Sequence, residues 1–330
     1  MTHKTDILVC DSNLLEHRDT LESLVGEVAT CHWVADPTTP EALAVLDQAR
    51  IYVGTKFTEG MAAHANALEL VLVGGAGHDG IDKAALPEGV VVANTFNHEA
   101  SIAEYALATT VMMRRGILQQ SRALAGGVWA SSVYDRSMAQ PRTLRGAALG
   151  LVGFGHIGQA VWRAFQAMGA TGRAIKRSAT AEVPDGLEWI GTSANLGRLL
   201  DESDIVVLCA PLDESTQGLL GAEELARLGA GGVLVNVGRG PLVDEDALYV
   251  ALADQVIAGA VIDVWYTYPD ASGHGRPAHQ PFWDLPNVLM TPHISGVTDE
   301  TFRGRVHDIA ANIHNHLGGR ALARVVHPLG

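Results

Sequence analysis

Short apolar runs alternate with segments of helical periodicity along the first hundred residues. Asp6–Cys10, 28–34, Ile51–Gly54, 70–73 and 90–93 read as strands, and 14–25, 41–49 and 60–68 read as helices between them. Strands that alternate with helices predict a parallel sheet covered on both faces, because each parallel pairing needs a crossover. From Ser101 the pattern turns helical to about Leu124, and Glu104, three residues on, completes a capping-box spacing. A second strand–helix series begins at Ala147, too far along to join the first sheet, with strands at 148–152, 205–209, 232–236 and 258–263. A last helical pattern, 299–317, follows the second series and could pack on either domain. The expectation is an α/β chain of two domains, without internal repeats or long linkers. The one irregular stretch, 269–281, is rich in Gly, Pro and His.

Composition narrows the function. With 330 residues, 47% of them hydrophobic, the chain can build two cores. Its 23 Lys and Arg against 37 Asp and Glu give a formal charge of −14, which opposes nucleic-acid or anionic-membrane binding. Cys10, Cys31 and Cys209 lie far apart without CxxC spacing and read as buried, reduced thiols. No Cys/His cluster has zinc-site spacing, so no metal is expected. The run Ile7–Cys10 is too short for a signal segment, and no apolar run reaches the ~18 residues of a membrane span. These features predict a soluble, cytoplasmic protein that acts on small molecules.

The candidate chemistry starts at the end of the apolar run Leu149–Val152. There Gly153-Phe154-Gly155-His156-Ile157-Gly158 leads directly into an amphipathic segment. A strand, a glycine turn and a helix start are what a dinucleotide pyrophosphate requires. The first glycine permits the turn, the second lets the backbone approach the phosphates, and the third lets helix pack on strand with its dipole facing the anion. Dinucleotide folds usually carry an acid about 20 residues later that binds the ribose hydroxyls. The corresponding window here, Arg173 to Ser178, has no acid. Lys176, Arg177 and Ser178 suit a 2′-phosphate and favour NADP(H). In the other reading they only cover the adenine, and NAD(H) is still accepted.

Two further motifs complete a kit. In Asn236-Val237-Gly238-Arg239-Gly240, a strand delivers Arg239 at its carboxyl end, where an arginine can grip a carboxylate through a two-pronged fork. A structural tie between Arg239 and a nearby acid such as Asp244 is the alternative. In Thr291-Pro292-His293-Ile294-Ser295-Gly296, His293 follows a short apolar run, and histidine exchanges a proton near neutral pH. A nucleotide fold, a carboxylate-gripping Arg and a proton-shuttling His suit hydride transfer on a 2-hydroxy acid.

These motifs, with Gly259-Ala260-Val261-Ile262-Asp263-Val264, Gly74 to Asp82 and Glu99 to Tyr105, resemble the D-isomer-specific 2-hydroxyacid dehydrogenases over nearly the full chain. The glyoxylate/hydroxypyruvate reductase-like and phosphoglycerate dehydrogenase-like branch is the nearest in pattern. The resemblance implies two doubly wound parallel-sheet domains, flavodoxin-like and Rossmann-like, with a cleft between them. Residues 1–98 with 298–330 would bind substrate, and 99–297 would be an inserted dinucleotide domain. By matching positions, Arg239 would bind carboxylate and His293 would be the acid/base. Backbone amides of Ala76 and Gly77 would also hold the carboxylate. Gly153, Gly155, His156, Ile157, Gly158, Val237, Gly238, Ser295 and Gly296 would contact the cofactor, with Cys209, Ala210, Pro211 and Thr216 on its adenosine side. Asp263 would orient the nicotinamide amide. A homodimer through the nucleotide domains, with the Ser101 helix in the contact, is also implied.

One position departs from the family pattern. A glutamate usually stands five residues after the Asp263 equivalent and pairs with the catalytic histidine, raising its pKa. Here that place is Tyr268. The formate dehydrogenase branch also lacks the glutamate, and the phosphite dehydrogenase branch carries a lysine where this chain has Ala76. A non-standard substrate, whether formate, phosphite or a phosphate- or phosphonate-bearing acid, therefore stays open, with Lys56, Arg276 and the histidines of 269–281 as candidate readers. A non-catalytic, cofactor-sensing protein is the alternative from another class.

Overall fold

In a computed structural model of the chain, which describes residues 4–178, 182–184, 186–270 and 272–328, the early apolar runs form β1 (Thr5–Cys10), β2 (Ala29–Trp33), β3 (Ile51–Gly54), β4 (Leu70–Val73) and β5 (Val91–Asn94). They pair in parallel in the order β5-β4-β3-β1-β2. Every residue of β3 and β4 is buried, as expected of central strands covered on both faces. The crossovers carry α1 (Arg18–Val25), α2 (Pro40–Leu46) and α3 (Glu59–Ala62). Two of these differ from the expected helices. The 14–25 segment opens as a 3-10 turn, Ser12–His17, capped by Asp11, which accepts from the Asn13 N–H at 3.1 Å. The 60–68 segment keeps one helical turn because Gly60 and Asn66 are poor helix formers, yet Met61, Ala65 and Leu68 are still buried.

The long helix expected over 101–124 is two helices, α4 (Glu99–Arg115) and α5 (Ile117–Ala125). Gly116 separates them with a left-handed φ of 61°, and its N–H closes the end of α4 on Met112 and Met113. Ser101 is not the cap: it lies within the first turn, and its hydroxyl donates to His98 O at 3.0 Å.

The second sheet contains β6 (Ala148–Val152), β7 (Thr171–Ile175), β8 (Leu187–Gly191), β9 (Ile205–Leu208), β10 (Val233–Asn236), β11 (Gly259–Ile262) and β12 (Val288–Met290). All are parallel, in the order β12-β11-β10-β9-β6-β7-β8. Helices α6 (His156–Ala167), α7 (Leu196–Asp201), α8 (Ala222–Leu228) and α9 (Glu245–Ala253) make the crossovers. Strand order reverses at β6, with β7 to one side and β9 to the other, and at such a switch point α/β sheets open a ligand crevice. The chain then returns: α10 (Asp299–Leu317) buries Val306, Ile309, Ala310 and Ile313 in the core of the first sheet, and β13 (Val325–His327) pairs antiparallel on the outer edge of β5.

The chain thus divides into two compact units, Met1–Asn97 with Thr298–Gly330, and His98–Val297. Among the described residues no helix is long and apolar enough to cross a membrane.

Candidate active site

The glycine turn is built by three different constraints. Gly153 has φ 97°, and a Cβ there would stand 2.7 Å from Ala210 N, so the turn and the end of β9 can meet only through a glycine. At Gly158 a Cβ would fall 2.2 Å from Gly153 O, where α6 presses on its own strand. A Cβ on Gly155, by contrast, meets nothing within 4 Å. That open space at the first turn of a twelve-residue helix is the cradle a pyrophosphate fits. His156 is exposed and Ile157 half-buried beside it, while Val161, Trp162 and Phe165 bury the opposite face of α6.

On the flank beyond β7, Lys176 is half-buried and Arg177 and Ser178 are exposed. Arg173, from the same cationic window, is buried in an ion pair with Glu188 and belongs to the structure of β7. Arg177 donates from Nη2 to Asp213 Oδ2 at 2.6 Å. Asp213 comes from the loop after β9, where Thr216 Oγ1 donates to Pro211 O and accepts the Asp213 N–H, both at 2.8 Å. Cys209 N donates to Val152 O at 2.8 Å, tying this loop to the glycine turn. Burial pushes the Cys209 thiol up to about 12, so it is an inert thiol, as are Cys10 at about 12 and Cys31 at about 11.

Arg239 follows β10 in extended conformation. Asn236 staples its turn: Asn236 Nδ2 donates to Arg239 O at 2.9 Å, and Asn236 Oδ1 accepts the Gly238 N–H at 3.1 Å. Close packing requires the flanking glycines, since a Cβ on Gly238 would meet Leu242 at 2.8 Å and one on Gly240 the Trp265 backbone at 2.5 Å. Val237 and Gly238 are buried and Arg239 is half-buried. Arg239 Nη1 donates to Gly238 O at 2.8 Å. The Asp244 carboxylate caps α9 by accepting the Ala247 N–H at 2.8 Å.

His293 has a left-handed φ of 59°, unusual for a residue with a Cβ. The wholly buried Asp263 holds that turn. Its Oδ1 accepts from Thr291 Oγ1 at 2.6 Å and Ile294 N at 2.8 Å, and its Oδ2 accepts from Ser295 N at 2.8 Å. Trp265 Nε1 donates to Thr291 O at 2.8 Å, and the Tyr105 hydroxyl lies 2.5 Å from Thr291 Oγ1. Gly296 passes close to α4, where a Cβ would lie 3.3 Å from that of His98. Tyr268 OH lies 2.9 Å from His293 Nδ1. The ring keeps an open face, yet the protein around it lowers the His293 pKa through desolvation; Asp263 opposes this, and Arg239 adds to the lowering. Burial raises the Tyr268 pKa, so it is a neutral phenol around pH 7.

Ala76 and Gly77 belong to the first unit. There Asn94 Nδ2 donates to Ala76 O at 2.8 Å, and Asp11 packs so closely on Gly74 that a Cβ would stand 2.2 Å from its Oδ2. In the second unit the other expected residues lie at the carboxyl ends of β6, β7, β9, β10, β11 and β12. Sequence reasoning missed Asp213, Thr291, Tyr105 and Asn236 as supporting groups. The last three stand inside the quoted motifs. Asp213 was detectable only as an acid just past Pro211 on a strand-end loop.

Residues 107–295 match the family model for the NAD-binding domain of D-isomer-specific 2-hydroxyacid dehydrogenases. The chain belongs to this family. It is 30% identical over 316 residues to the D-3-phosphoglycerate dehydrogenase of Methanocaldococcus jannaschii, covering 94% of this chain but only 57% of that longer protein. Against the glyoxylate reductase of Korarchaeum cryptofilum it is 34% identical over 252 residues, 75% of this chain and 72% of the other. Among solved structures, a 2-hydroxyacid dehydrogenase from Ketogulonicigenium vulgare is similar at TM-score 0.79 and 25% identity over 99% of both chains. D-2-hydroxyisocaproate dehydrogenase shares the fold at TM-score 0.84 and 21% identity, over 98% of this chain and 99% of that one. Among the described residues of this family member, no group of His, Cys, Asp and Glu could hold a metal ion.

Proposed function

We propose that this protein is an NAD(P)-dependent oxidoreductase that interconverts a small 2-keto acid and its D-2-hydroxy acid. One observation carries the reading. His293, held by Asp263 and Tyr268 on a left-handed turn after β12, and Arg239, at the end of β10, stand at the same edge of one parallel sheet with only β11 between their strands. A cation for a carboxylate and a proton donor for the adjacent oxygen are what the substrate class requires.

A bound nicotinamide would supply or accept the hydride at C2. The chain's own residues do the rest. Gly153, Gly155, Gly158 and the start of α6 would receive the pyrophosphate, with His156 and Ile157 beside it. Lys176, Arg177, Ser178, Cys209, Ala210, Pro211 and Thr216 would border the adenosine. Val237, Gly238, Ser295 and Gly296 would line the nicotinamide side, and Asp263 would orient the nicotinamide amide. Arg239 clamps the substrate carboxylate. Tyr268 engages Nδ1 and leaves Nε2 to give its proton to the keto oxygen, or to take it back in oxidation. NADP(H) is favoured, because the ribose-binding acid is missing from the end of β7, and NAD(H) is accepted. The active form is a homodimer; Leu124, Val128, Trp129, Val133 and Tyr134, all half exposed or more, supply an apolar surface for it.

Turnover of glyoxylate, hydroxypyruvate and pyruvate with NADPH and NADH, with chiral analysis of the lactate and glycerate formed, tests the proposal. D-products are expected. Inactivity across a broad keto-acid panel despite tight cofactor binding would favour a sensor.

A further inference from the structure

The chain lacks an acid at the end of β7, but the structure brings one there from elsewhere. Sheet order is β9-β6-β7, so a link between the loops after β7 and β9 passes over the end of β6, where the glycine turn lies. The Arg177–Asp213 pair is such a link, at 2.6 Å. Both loops are anchored to that turn: Gly153 N donates to Ile175 O at 2.9 Å, and Gly153 packs against Cys209 and Ala210. Asp213 is also oriented. Its Oδ1 accepts from Ser215 N at 2.9 Å and Ser215 Oγ at 2.6 Å, which leaves Oδ2 for the guanidinium. Those Ser215 bonds, with Arg177 adding to them, hold the carboxyl below its ordinary pKa, so it is ionised at neutral pH.

We propose that Asp213 is the coenzyme-discriminating residue of this site, acting as a counter-ion that a 2′-phosphate must displace from Arg177. With NADH, Asp213 faces the ribose hydroxyls as the absent strand-end acid would, and Arg177 stays paired. With NADPH, Arg177 turns to the phosphate, and Asp213 becomes a like charge beside it. The pair is solvent-exposed, with Arg177 at 77%, so breaking it costs little and both coenzymes bind. A site with Arg177 alone would prefer NADPH more strongly. This inference rests on the nucleotide-site reading above.

The test is the affinity of the apo-protein for NADPH and NADH, followed by the fluorescence of the reduced nicotinamide. Asp213→Asn keeps an acceptor for Ser215 and removes the charge. It should tighten NADPH binding about threefold to fivefold, the size of an exposed charge interaction, and leave NADH equal or weaker. Arg177→Gln should weaken NADPH by a similar factor, and in the double variant the gain from Asp213→Asn should shrink. An unchanged NADPH-to-NADH affinity ratio in Asp213→Asn would overturn the inference while leaving the nucleotide site standing. Failure of the unsubstituted protein to bind either coenzyme would overturn both.

Discussion

Tyr268 and His293 are joined by a 2.9 Å hydrogen bond between the phenol oxygen and Nδ1. A phenol can accept from Nδ1–H or donate to a bare Nδ1, whereas a carboxylate can only accept. Tyr268 therefore follows the ring through both protonation states but provides no charge to hold its proton. Reduction needs the imidazolium, which exists below the pKa, and desolvation has lowered that pKa. The reduction rate should accordingly begin to fall at a lower pH than with a carboxylate partner. Tyr268→Glu should move that limb up by about one pH unit or more, since an opposite charge at this range shifts a pKa by 1–3 units. A pH–rate profile unchanged by the substitution would contradict the assignment.

Arg239 is expected to act on substrate, not coenzyme. Hydrogen bonds to charged groups are worth about 1.5–3 kcal/mol each, so losing a two-pronged clamp should lower kcat/KM about a hundredfold or more in Arg239→Ala. Arg239→Lys should recover only part of this because a point charge lacks the fork. Coenzyme Kd should stay the same in both; a loss of coenzyme binding would assign Arg239 to the wrong ligand.

Gly155 and Gly158 separate folding from binding. A Cβ on Gly158 strikes Gly153 O at 2.2 Å, so Gly158→Ala should cost about 1–3 kcal/mol and lower Tm. A Cβ on Gly155 meets no protein atom within 4 Å, so Gly155→Ala should leave Tm unchanged yet weaken coenzyme binding. Thermal melts with and without coenzyme read both effects.

Asp263 is the buried brace of the His293 turn. In Asp263→Ala the N–H groups of Ile294 and Ser295 and the Thr291 hydroxyl lose their shared carboxylate acceptor, and the left-handed backbone at His293 loses its buried brace. A lower Tm together with a drop in kcat is expected. Activity at the level of the unsubstituted protein would show that the turn forms without the carboxylate.

The sequence revealed the fold where a single rule governs a segment. Buried parallel strands such as β3 and β4 read as unbroken apolar runs, and α10 was visible at its observed bounds. β7 was obscured by Arg173, a buried cation in a strand paired on both sides, and β8, β12 and β13 are edge strands with few buried positions. Ser101 misled because capping-box spacing occurs inside helices too, and only Gly116 set where α4 ends. The site showed the same division. Gly153, Arg239 and His293 stand in compact motifs, whereas Asp213 reaches Arg177 across 36 residues of sequence through sheet order alone.

The most direct measurement is keto-acid reduction by His293→Ala beside the unsubstituted protein, with coenzyme Kd measured on both. General acid catalysis contributes about 10²–10⁴ in rate, so kcat should fall by that factor while coenzyme Kd stays constant. Undiminished turnover in His293→Ala would contradict the role given to this histidine and, with it, the reading of the site.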